Sequence, residues 1–164
     1  RKETKRSVRG GHSLSLLFID LDGFKRINDS HGHLLGSRAL IEAADIIKSS
    51  ARETDIAARF GGDEFAILLP ETSTEGALSV ARRIRDRISR HGFLAEQGPG
   101  NRITASIGVA TYPDVAETAE GLLQAADAAM YRVKVQGKNS IHVAGSENET
   151  DRVREREQER QETT

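Results

Sequence analysis

Two pairs of acids carry the chemistry in this chain: Asp20 and Asp22 close an apolar run, and Asp63 and Glu64 follow Gly61-Gly62 in the stretch RFGGDEFAILLP. Crowded carboxylates raise one another's pKa or recruit a cation, and an all-oxygen donor set suits Mg2+ shared with a substrate's phosphates. A solvated acidic rim that merely ends strands is the other reading of the same residues. The glycines suit a tight primed turn, and their missing side chains let a phosphate approach backbone N–H groups. Lys134 and Lys138 form a basic patch able to meet phosphate oxygens, although lysines at a helix C-terminus also favour its dipole. His31 and His33 lack the cysteines or second histidine pair of a zinc site, which leaves local hydrogen bonding. Neither a Walker lysine nor a Rossmann glycine pattern is present.

The elements that must position these residues follow from periodicity. Leu14 to Ile19 reads as a buried central strand ending at Asp20, and GFKRINDSHGH as a short helical turn and loop. Leu34, Leu35, Ala39, Leu40, Ala43, Ala44, Ile46 and Ile47 recur at helical spacing, predicting about four turns that end near Ser50. Ile56 to Phe60 and Phe65 to Leu69 flank the glycine pair as a hairpin. Ser73 and Glu75 open another helix that closes near Gly92. A strand from Arg102 to Thr111, a helix from Thr118 to Val135 and a short strand from Ser140 to Val143 complete the set. This order predicts an α+β sandwich with a ferredoxin-like, palm-like core: a mostly antiparallel central sheet flanked by helices, with a β-hairpin turn at the active site.

The chain has 164 residues, enough for one domain, with 24 basic and 25 acidic side chains and a net charge of -1. That balance gives no global field for DNA, RNA or an anionic membrane, so a polyanionic ligand needs a local site. Absence of cysteine excludes disulfides and thiol chemistry. No apolar run approaches the roughly 18 residues of a membrane span, and a cytoplasmic location is expected. Residues 1–12 read as the end of an upstream linker, 13–144 as the catalytic domain and 145–164 as a charged, mobile tail.

FIDLDGFKRINDSHGH, RFGGDEF, SIGVA and ADAAMYRVKVQGKN, in this order and spacing, resemble the GGDEF-domain family, the diguanylate cyclases that condense two GTP into cyclic di-GMP. The likeness implies that Asp20, the Leu21 carbonyl and Asp63 hold two Mg2+ or Mn2+ ions, with Asp20, Asp63 and Glu64 as the catalytic acids. Gly23, Phe24, Lys25, Gly62, Lys134 and Lys138 would surround the triphosphate, and Asn28 and Ser37 would face the base. It further implies a homodimer of facing half-sites, an upstream sensory or receiver domain, and product inhibition through Arg52 and Asp55, with Arg83 from a neighbouring copy.

Ser37 departs from the aspartate usual at that position and resembles the marker of a hybrid promiscuous subgroup that accepts ATP besides GTP. The expectation that follows is synthesis of 3',3'-cyclic GMP-AMP, with cyclic di-GMP and some cyclic di-AMP. Ordinary diguanylate cyclase activity and a non-catalytic cyclic-dinucleotide receptor are the other two readings.

Overall fold

The computed structural model describes residues 13–146. Strand β1 (Leu14–Asp22) is central in a five-stranded sheet of order β2-β3-β1-β4-β5, completed by β2 (Ile56–Arg59), β3 (Glu64–Pro70), β4 (Thr104–Tyr112) and β5 (Ile141–Val143). β1 runs antiparallel to both β3 and β4, β2 antiparallel to β3, and only β4 and β5 are parallel. The predicted mostly antiparallel α+β sandwich is therefore the observed one.

Helices α1 (Phe24–His31), α2 (His33–Ser50), α3 (Thr74–Arg90) and α4 (Ala119–Gln136) flank this sheet. Strand alternation separates two cores. Leu17, Ile19 and Leu21 of β1 join Ile67, Ile107 and residues of α2 and α3. Leu14, Leu16 and Phe18 point the other way, into a cluster with Leu122, Ala126 and Met130 of α4. By the same parity Asp20 and Asp22 lie on the α4 side. α4 sits unusually close, because a Cβ on Gly108 of β4 would collide with the Ala126 carbonyl oxygen and the Met130 amide nitrogen of the helix. This accounts physically for the glycine of SIGVA.

Several boundaries differ from expectation. β1 runs on to Asp22 because pairing with β4 continues to Asp22 opposite Thr104, whereas pairing with β3 stops at Asp20 opposite Glu64. The expected turn and loop after it is a two-turn helix, α1, and only Gly32 (φ 84) separates it from α2. α2 itself is longer than four turns. Leu34, assigned by periodicity to its apolar stripe, is 81% exposed. The hairpin is not a primed turn: neither Gly61 nor Gly62 has a positive φ, and Phe60 N–H bonds the Glu64 carbonyl at 2.8 Å across a wider loop.

Ser73 caps α3 through the Gly76 amide, as the residue expected to open that helix, and Thr118 caps α4 through that of Gly121. Residues 1–12, and the expected tail apart from Gly145 and Ser146, fall outside the described residues. No helix among those described is long and apolar enough to cross a membrane.

Candidate active site

The acids converge where β1 leaves β3. Asp20 faces Glu64 in the β1–β3 register, and the next amide along, Leu21 N–H, donates to the Asp63 carbonyl at 3.0 Å. Phe60 stacks edge-on against Phe18 with ring centroids 5.6 Å apart, seating the hairpin tip on β1. Arg59 braces the tip further, donating Nε to the Gly61 carbonyl at 3.0 Å and a guanidinium nitrogen to that of Gly62 at 2.8 Å. A trans peptide sets N–H opposite C=O, so the Gly62 and Asp63 amides lie on the edge away from Arg59.

Burial pushes the Asp20 carboxyl above the usual carboxylate range; Lys134 opposes this, and the charges of Asp63 and Glu64 add to it. Lys134 Nζ lies 3.1 Å from Asp20 and 2.6 Å from Asp22. Burial alone would lower the lysine's pKa, but these two carboxylates outweigh it and the group is raised. The patch thus carries more anionic charge than its one bridging cation balances.

Asp22 is different. Its side chain is 5% exposed, and each oxygen accepts two hydrogen bonds. Oδ1 takes Lys134 Nζ at 2.6 Å and Ser106 Oγ at 2.8 Å; Oδ2 takes Thr104 Oγ1 at 2.7 Å and Asn139 N–H at 3.1 Å. Burial would raise this carboxyl, yet the Lys134, Thr104 and Ser106 donors together hold it below the usual range. Asp22 is therefore a structural knot tying β1, β4 and the end of α4, not a free ligand. Sequence periodicity could not reveal this, because its four partners lie 82 to 117 residues away. The turn serving it, Gly137 to Asn139, has positive φ throughout, with Lys138 N–H closing on the Val133 carbonyl at 2.8 Å.

Do these residues suit a divalent cation? No group of three or more acidic, histidine or cysteine side chains fit to hold a metal occurs among the described residues. Mg2+, however, is bound by one or two carboxylates and completes its shell with water and substrate phosphate. Asp20 and Asp63 where β1 leaves β3, the first of them strained as an anion by burial and by neighbouring acids, fit that pattern.

Helix α1 follows directly on the acid-bearing end of β1. Gly23, in the left-handed region (φ 83), starts that helix without a side-chain cap, leaving the first-turn amides available to an anion. Phe24 packs partly into the core and Lys25 is exposed beside it.

Asn28 and Ser37 come together across the α1–α2 junction. Asn28 Nδ2 lies 3.1 Å from His33 Nδ1, Ser37 Oγ donates to the His33 carbonyl at 2.9 Å, and a Cβ on Gly36 would overlap Asn28 Oδ1. Of the two histidines only His33 makes the expected local hydrogen bond, to Asn28, whereas His31 pairs at 3.0 Å with Asn101, 70 residues away.

On the far side of the sheet from α4, a cleft of about 330 Å3 is lined by Arg52, Thr72, Gly76 and Arg83 among others. Arg52 holds Asp55 at 3.4 Å and also donates to Thr72 Oγ1 at 2.6 Å. Arg83, which donates to the Ser50 carbonyl at 2.8 Å, lines this cleft on the same copy as Arg52. No neighbouring copy is needed to bring the two arginines together.

Residues 1–140 match the family profile described as "Diguanylate cyclase, GGDEF domain". Diguanylate cyclase A of Treponema denticola is 43% identical over 129 residues, 79% of this chain and 34% of that protein. The response regulator PleD of Caulobacter vibrioides is 39% identical over 138 residues, 84% of this chain and 30% of its own. This chain thus spans about a third of the length of these curated relatives. Among solved structures, the GGDEF domain of YfiN (TpbB) from Pseudomonas aeruginosa superposes with a TM-score of 0.83 at 38% identity, covering 87% of this chain and 83% of that one. The GGDEF domain of DgcB from Caulobacter crescentus, solved in complex with c-di-GMP, gives 0.79 at 29% identity, covering 87% and 84%. The chain belongs to the GGDEF-domain family of diguanylate cyclases.

Proposed function

We propose that this domain is a dinucleotide cyclase that joins two GTP molecules into cyclic di-GMP. The observation that carries the reading is the anionic edge of Asp20, Asp63 and Glu64, flanked by Lys134 and by the uncapped start of α1. In the reaction the 3'-oxygen of one GTP bonds to the α-phosphorus of the other. The bond from that phosphorus to the oxygen bridging to the β-phosphate breaks, pyrophosphate leaves with the electron pair, and the 3'-hydroxyl proton passes to Glu64 or water. Divalent cations, Mg2+ or Mn2+ and two per half-site, held by Asp20, Asp63 and the Leu21 carbonyl would neutralise charge and acidify the 3'-hydroxyl.

The protein's own part is positional. Gly23, Phe24, Lys25, Gly62, Lys134 and Lys138 surround the triphosphate, and Asn28 and Ser37 read the base. One domain offers one nucleotide site, so two copies face each other as a homodimer and each bond forms across their interface.

Synthesis of cyclic GMP-AMP is the second reading, and Ser37 is the observation that favours it. A hydroxyl that both donates and accepts would tolerate adenine as well as guanine. The Ser37 proton, however, is committed to the His33 carbonyl, and relatives such as that of Treponema denticola are named for the diguanylate reaction. Cyclic di-GMP is therefore the product we put first. Equal GTP and ATP with Mg2+ are expected to give mainly cyclic di-GMP when products are resolved by chromatography, and Ser37→Asp should raise its share further. Predominance of the mixed product in the wild type would reverse the order.

Feedback by product at the cleft lined by Arg52 and Arg83, with Asp55 holding Arg52, rests on these two arginines and on the product-bound state of the DgcB relative. Replacing Arg52 by alanine is expected to weaken inhibition by cyclic di-GMP at least about tenfold, the loss of one charge-assisted bidentate contact. An inhibition curve superposing on that of the wild type would remove the assignment.

A further inference from the structure

We infer that His33 fixes the hydrogen-bonding polarity of the base-reading pair, so that the site favours a nucleotide base whose edge donates, guanine, over one whose edge accepts, adenine. The inference rests on the proposed reading in which Asn28 and Ser37 face the base.

Gly32, with φ 84, accommodates a sharp break and bonds its N–H to the Asn28 carbonyl at 2.8 Å. His33 is consequently brought back over Asn28 as the first residue of α2. An amide nitrogen can only donate, so the 3.1 Å contact from Asn28 Nδ2 makes His33 Nδ1 the acceptor and puts the ring proton on Nε2. With its nitrogen turned to the ring, Asn28 lays Oδ1 over Gly36, the residue before Ser37 and one whose side chain would obstruct it. Among the described residues this oxygen has no hydrogen-bond partner.

The same histidine acts on Ser37 through its main chain. A hydroxyl has one proton, and that of Ser37 goes to the His33 carbonyl at 2.9 Å, leaving lone pairs outward. The ring thus fixes the placement of the Asn28 oxygen, whose amide keeps one further proton, while the carbonyl takes the single proton of Ser37, so that the two side chains offer acceptor oxygens side by side. Guanine offers N1–H and the 2-amino group to such a pair. Adenine sets its N1 lone pair against it and keeps only the 6-amino donor, so at least one contact is lost or made repulsive. Asn28 and His33 are half-buried and exposed respectively, so the pair is reachable from solvent.

The test measures affinities of GTP, ITP and ATP by calorimetry with Ca2+, and separately measures product formed from GTP with Mg2+. The wild type is expected to bind GTP at least about tenfold more tightly than ATP, with ITP, which keeps N1–H but lacks the 2-amino group, in between. His33→Leu removes the acceptor and frees the Asn28 amide to turn, so the GTP-to-ATP ratio should fall toward one. His33→Asn, whose Oδ1 can take the place of Nδ1, should restore much of it. A structural role for the ring would weaken all three nucleotides alike. An unchanged ratio in His33→Leu, or ITP binding no better than ATP to the wild type, overturns the inference even if cyclic di-GMP is made. The affinity ranking without any product would instead leave the inference standing and reject the proposed activity.

Discussion

Asp63→Asn is expected to abolish synthesis, lowering turnover by about a thousandfold or more while the domain stays folded. An amide keeps the shape of the side chain but is a poor cation ligand and removes one of the negative charges at the edge. Loss of several kcal/mol of transition-state stabilisation corresponds to a factor of that size. The fold should tolerate the change, because the bond that ties this residue to β1 uses its main-chain carbonyl, accepting from Leu21 N–H. Product measured by chromatography alongside Tm separates the two effects. More than a tenth of wild-type synthesis in a folded variant would remove Asp63 from the reaction.

The second large effect is on stability. In Asp22→Asn the new NH2 group replaces one of the two oxygens and meets two donors, one a hydroxyl that can reverse its role and the other, the Lys134 ammonium or the Asn139 amide, one that cannot. Opening a buried charge pair in this way costs about 3 kcal/mol. The pH dependence follows from the depressed pKa of Asp22. Its contribution is complete above the unfolded-state value and disappears as pH falls through the lower folded-state value, in the acid range below ordinary carboxylates. Asp20 acts in the opposite sense: its raised pKa makes ionisation costly in the fold, so protonation from slightly higher pH downward is stabilising. Urea midpoints of the wild type should therefore fall steeply only at the acid end, and Asp22→Asn should lack that final drop. Equal midpoints for the two proteins at neutral pH would contradict the role given to Asp22.

The same two aspartates show what a sequence can and cannot reveal. The apolar run before Asp20 and the glycine pair before Asp63 announced a buried strand and a hairpin, and both strands and their acids are where that pattern puts them. The helix start at Ser73 was equally legible, because capping is a local exchange between one side chain and an amide three residues on; Thr118, expected as the first helical residue, is the cap of its helix. Asp22 looked like a third member of the acidic patch. Only the β1–β4 register, which sets it beside Thr104, with α4 overhead, turns it into a saturated anchor. The turn type at the hairpin is not legible in the sequence, because a glycine pair permits a primed turn without requiring one. Here the Glu64 carbonyl draws Phe60 N–H across, and Arg59 holds both glycine carbonyls, which together select a wider loop. His33 was visible only as a histidine without metal partners. Its link to Asn28 and Ser37 depends on the break at Gly32, which periodicity merges into a vague turn.

Gly108 gives the domain a mechanical character. Where side chains separate a helix from a sheet, rotamer changes serve as a bearing and let the helix creep along the surface. Beneath Ala126 and Met130 main chain rests on main chain, and no such bearing exists. The helix that presents Lys134 is thus fastened to the strands that present the acids, and the cleft cannot be tuned by sliding one past the other. Anything that moves this helix has to move the sheet with it, so the domain responds as a single block.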